Sequence, residues 1–174
     1  TIAILFIGLI IYRRKTRKKI TKHQTPITPF PANWRTYLIK NVAFYNSLTL
    51  NEKNLFEFKI QEFLLNCTII GVDTYVEDID EVLIASSAII PIFNFPDWHY
   101  PNISEIFLYP CMFNRDLERT GPNRNILGMV GNGFLENKMI LSKNALHLGF
   151  KNESDKQNTA IHEFIHLIDK LDGR

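Results

Sequence analysis

The sequence predicts a mixed α+β layer fold, and the order of its patterns is what predicts it. Helical periodicities fill the first half, short strand candidates follow, and a strongly amphipathic helix closes the chain without regular strand–helix alternation. With 174 residues, 45% hydrophobic and 12% aromatic, the chain can bury one sizeable core. The same figures exclude a mainly disordered, collagen-like or low-complexity protein.

The first helix carries Trp34, Leu38 and Val42, spaced four apart. A second opens at Thr49 with Glu52, a pairing in which each side chain satisfies a free backbone N–H at the helix start, and its buried stripe is Phe56, Ile60, Phe63 and Leu64. Residues 67–70, closed by Gly71, read as a short strand. Asp78 or Asp80 then caps a helix bearing Val82, Ala85 and Ile89, and Pro91 and Pro96 stop it. The aromatic stretch 93–101 contains His99, which reads either as structural or as the border of a cleft. Residues 103–109 form a strand ended by Pro110, 114–125 a long polar loop, and 126–130 and 138–142 two more strands around Gly131-Asn132-Gly133. In the last helix Ser154 and Gln157 make a capping pair, while Ile161, Ile165, Ile168 and Phe164, Leu171 supply the apolar residues.

The ends of the chain differ from its body. Residues 2–12 are uncharged and apolar and run into a basic block; residues 1–25 hold seven cations and no acid. Removing those seven from the 20 leaves 13 cations against 18 acids, a net charge of −5, so the body lacks the basic face that nucleic-acid binding requires. The apolar run is too short to cross a bilayer unless earlier sequence extends it, and cations following it place what comes next on the cytoplasmic side. The expectation is a partial transmembrane anchor at 1–12, a basic and Pro/Thr-rich linker at 13–28, and the folded domain from 29 to 174. A buried strand or helix with a solvated basic tail is the alternative. Cys67 and Cys111 are too few for a disulfide framework or a Cys-based zinc site and read as buried thiols.

His162-Glu163-Phe164-Ile165-His166 is the most informative run, since five His and ten Glu would produce this spacing by chance in about one chain in a hundred. On a helix, imidazoles four residues apart project from one face and can close on one Zn²⁺ that keeps a position for water. Glu163, adjacent to the first ligand, can take a proton from that water and pass it to a leaving amine, which is peptide hydrolysis. Asp169 lies near the same stripe, in the last turn, where a carboxylate opposes the helix dipole; a hydrogen bond orienting a ligand histidine would offset that, and a salt bridge is the alternative. Asp172 lies about 15 Å along the helix from His162 if the helix continues, out of coordinating range. Asp172-Gly173 reads instead as a helix stop.

The run 29–34 (Pro-Phe-Pro-Ala-Asn-Trp), the strand ending Tyr109-Pro110, and above all 162–173 (His-Glu-Phe-Ile-His-Leu-Ile-Asp-Lys-Leu-Asp-Gly) resemble the Mlc titration factor A family of zinc-dependent peptidases over about residues 29–174. The resemblance implies a zincin, gluzincin-like fold with His162 and His166 as zinc ligands, Glu163 as catalytic base, and a third ligand, a Glu on a later helix beyond Arg174. By the same analogy the strand around 139–142 reads as the edge strand that pairs with an extended substrate, an ordinary core or edge strand being the alternative. The expected function is zinc-dependent peptide hydrolysis on a peptide or protein substrate by a single-pass membrane protein whose catalytic domain faces the cytoplasm. The alternative is a regulatory binding protein that sequesters a partner such as a transcriptional repressor.

Overall fold

The computed structural model describes residues 23–95, 97–114, 117, 125–130, 135–151 and 158–171. Three helices come first, α1 (Ala32–Asn41), α2 (Ala43–Ser47) and α3 (Leu50–Asn66). Strand β1 (Thr68–Gly71) leads to helix α4 (Asp78–Ile89) and strand β2 (Glu105–Tyr109). Strands β3 (Gly128–Val130) and β4 (Lys138–Ser142) precede helices α5 (Lys143–Lys151) and α6 (Thr159–Leu171). The mixed α+β expectation holds.

Local chemistry explains several element ends. Thr49 and Glu52 form the expected reciprocal cap, with the Thr49 N–H donating to Glu52 Oε2 at 2.8 Å. At α4 the cap is Glu77 rather than Asp78 or Asp80; Asp80 stands in the first turn and accepts the Glu77 N–H at 2.8 Å. Helix α4 has a single turn of 3₁₀ helix, Ile90–Ile92, at its end because Pro91 cannot continue the α-helical hydrogen bonding.

The sheet runs β1-β2-β4-β3, with β1, β2 and β4 mutually parallel and β3 antiparallel to β4. Alternation along the strands divides two cores. Ile106 and Leu108 of β2 and Met139 and Leu141 of β4 face the helical side, joining Leu38, Phe56, Ile60, Ile84 and Phe164, while Tyr109 and Ile140 face the opposite side with Phe113 and Leu135. Cys67 is buried and its thiol is pushed up to about 12, chiefly by burial, so it stays protonated. Cys111, read from sequence as buried, is only half-buried.

Helix α5 has no counterpart in the sequence reading. Its nine residues, with Gly149 inside, make a short helix of weak intrinsic propensity that is held by what it packs on, α4 and α6.

The single-pass membrane expectation is corrected. Among the described residues no helix is long and apolar enough to cross a membrane, which leaves the anchor and the cytoplasmic orientation derived from it without support. The apolar run 2–12 and the basic block that suggested them lie outside the described residues. The described part of the expected linker runs along α3: the Gln24 N–H donates to Asn66 Oδ1 at 2.9 Å, and Asn66 Nδ2 donates back to the Gln24 carbonyl at 2.7 Å.

Candidate active site

Helix α6 begins later than the sequence suggested. Ser154 and Gln157 lie outside the described residues, and Asn158 supplies the cap, its Oδ1 accepting the Ile161 N–H at 3.1 Å. Gly149 of α5 makes room for that cap, since a Cβ there would stand 2.9 Å from Asn158 Cγ. Toward the other end, Asn102 Nδ2 donates to the Leu167 carbonyl at 2.8 Å, and its own Oδ1 is buried with no partner among the described residues.

The inward face of α6 is Ala160, Glu163, Phe164 and Leu167, a repeat of three and four residues. The isoleucine-centred stripe read from the sequence is displaced from this face; Ile165 and Leu171 are exposed, and Ile161 and Ile168 are half-buried. Phe164 packs against Phe63 at 5.7 Å and Tyr100 at 5.2 Å between ring centroids, fixing the helix's rotation about its axis.

That rotation positions the functional side chains. His162 and His166 are about 40° apart around the helix, and Glu163 is about 60° further round toward the core. Both histidines are exposed, whereas Glu163 is buried. The two Nε2 atoms approach to 3.0 Å, with ring centroids 4.3 Å apart. Nitrogens about 2.0–2.1 Å from a tetrahedral zinc are about 3.3 Å apart, so this pair needs only a few tenths of an ångström of adjustment. Among the described residues no third His, Cys, Asp or Glu offers an atom within 4.8 Å of both.

Glu163 lies against β3. Burial pushes its carboxyl above the usual range, opposed by the charges of His166 and His162, by the Val130 N–H that donates to it, and by Lys170. Strand and helix approach closely because residue 128 is glycine: a Cβ there would stand 2.7 Å from Glu163 Cγ. An open groove results, lined by Gly128, Met129, Val130, Glu163, His166, Asp169 and Lys170.

Asp169 is exposed on the helical wall of this groove, and among the described residues it makes no hydrogen bond to either imidazole. The edge-strand assignment is corrected: β4 (Lys138–Ser142) is bonded on both sides, and the strand at the sheet edge beside the histidines is β3. Gly128 and Val130 were missed as site residues, although an isolated glycine in a strand pattern signals close backbone approach. His99 does border a cavity, but a different one, lined in part by Phe63 and Tyr100. Burial lowers its pKa, against the raising charge of Glu62.

The chain is similar to an uncharacterized protein of Synechocystis sp., with 26% identity over 160 residues, covering 83% of this chain and 55% of the relative. The chain thus spans about half of that relative's length. A family model described as glucose-regulated metallo-peptidase M90 matches residues 12–174, nearly the whole chain. By that match the chain belongs to the M90 metallopeptidases, the Mlc titration factor A family.

Proposed function

We propose that this protein is a zinc-dependent peptidase with a zincin-like catalytic domain, in which His162 and His166 hold the metal and Glu163 is the general base. The observation carrying this reading is the 3.0 Å convergence of two imidazole nitrogens beside a buried carboxylate at a sheet edge. Imidazole pairs suit zinc, and the family implies a metal. When bound, zinc supplies a Lewis acid that brings the pKa of water toward about 7.

The chain's own residues do the rest. Glu163 takes a proton from the attacking water and delivers it to the departing amine, and burial that raises its pKa suits a group that must both accept and release a proton. The Val130 N–H holds one end of that carboxylate in place. Among the described residues strand β3 has a sheet partner on one side only, and an extended peptide laid along it would reach the histidines in a fixed register. The third ligand expected from the resemblance is a Glu beyond Arg174.

Replacing Glu163→Gln keeps the shape of the side chain and removes the base. Peptide hydrolysis by the full-length protein is expected to fall by roughly 10²–10⁴-fold with zinc content unchanged. A variant that loses hydrolysis yet performs the cellular role in full would favour sequestration of a regulatory partner. Hydrolysis at the unsubstituted rate would end the proposal.

A further inference from the structure

A second cluster of metal-ligating side chains, His23, Glu62 and His99, lines a cavity shared with Phe63 and Tyr100. His23 Nε2 is 3.1 Å from Glu62 Oε1, and His99 Nδ1 is 3.8 Å from Glu62 Oε2. One ligand atom from each of the three lies within 4.8 Å of the others. The spacing asked of ligands on one tetrahedral zinc is about 3.3 Å, so small side-chain rotations close the set. Donor chemistry agrees, two imidazoles and a carboxylate being a set that zinc and cobalt accept.

Three independent features make the cluster a built site. Glu62 is buried, so its charge calls for compensation, while His23 and His99 are each about half exposed and leave an ion a path from solvent. His23 is placed by its neighbour, since Gln24 is locked to Asn66 by two backbone-to-side-chain hydrogen bonds one turn along α3 from Glu62. A cavity of about 70 Å³ adjoins the cluster, walled in part by Trp98 and Tyr100, with room for an ion's remaining water ligands. Lys59 Nζ lies 3.6 Å from Glu62 Oε2 and partly compensates the carboxylate before any ion arrives.

We propose that His23, Glu62 and His99 form a second divalent-cation site, of zinc-like preference, that clasps the segment before α1 onto the domain. Its role is structural. Glu62 and His99 each precede an aromatic, Phe63 and Tyr100, that packs on Phe164, so an ion here stiffens the wall behind the helix bearing Glu163. The site is separate from the catalytic pair and does not depend on the peptidase reading.

The test uses the full chain carrying His162→Ala and His166→Ala, which removes the catalytic pair. Titration with Zn²⁺ by calorimetry, and with Co²⁺ by visible absorbance, is expected to show one bound equivalent and a rise in melting temperature. Adding His23→Ala or His99→Ala, both at half-exposed positions, should abolish that equivalent and the rise, and the shape-preserving Glu62→Gln should do the same. No metal uptake by the starting variant would overturn the site, as would uptake unaffected by these substitutions.

Discussion

Gly128 shows how one missing methyl shapes chemistry. A Cβ at that position would meet Glu163 Cγ at 2.7 Å and Thr159 Cγ2 at 3.1 Å, so the Glu163 side chain or the strand must shift to admit it. Gly128→Ala is expected to cost about 1–3 kcal/mol of stability through overpacking. On the proposed role of Glu163 as general base it should also reduce turnover by roughly tenfold or more, because a carboxylate displaced by a fraction of an ångström no longer meets its proton. Chemical denaturation and kcat, measured on the same preparation, check both. A variant of full stability and full kcat would mean that the strand moves freely away from the helix. Glu163 itself combines two demands, burial that raises its pKa and two neighbouring imidazoles that lower it.

Among the elements, α6 is the one whose placement matters most. Its start depends on Asn158, and Asn158→Ala should destabilise the protein by about 1 kcal/mol in urea unfolding. An unchanged midpoint would show that another group satisfies the Ile161 N–H. Asn102 acts toward the other end of the helix, donating to the Leu167 carbonyl from the loop before β2. Strand β3 is only three residues long, and that brevity is itself a safeguard, since a long exposed edge would invite pairing with other chains. Its antiparallel pairing with β4 sets Met129 opposite Ile140.

Across the molecule, two buried carboxylates join the helical layer. Glu57 of α3 accepts a bidentate pair from Arg35 of α1, both bonds at 2.7 Å, and the Tyr45 hydroxyl of α2 at 2.7 Å. Asp80 of α4, fully buried, faces His147 Nε2 at 2.7 Å and Lys143 Nζ at 2.8 Å, both on α5. Burial pushes both carboxyls up, but the hydrogen bonds and cations outweigh it, and each ends below its ordinary value of 4.5 or 3.8. Because the folded pKa is the lower one, the stabilisation is complete above those ordinary values and is lost as pH falls through the folded ones. Melting temperature should therefore hold near pH 5 and drop by roughly 5 °C or more toward pH 3. The double variant Glu57→Gln, Asp80→Asn should melt lower at pH 6 and show a flatter acid limb; equally steep limbs would discount both networks.

What could be read without coordinates was whatever is encoded within a few residues. The pair at 162 and 166 shares a helix face because of a four-residue spacing, and the Thr49–Glu52 cap follows from a three-residue one. Apolar runs bounded by Pro110 and by Gly131-Asn132-Gly133 located the strands around Ile106 and Ile140. Long-range packing decided the rest. Which face of α6 turns inward depends on Phe63 and Tyr100, and β3 rather than β4 takes the sheet edge because of how strands order in space. His23, Glu62 and His99 meet across dozens of residues of chain, and no local pattern records a contact made only when distant segments are packed against one another.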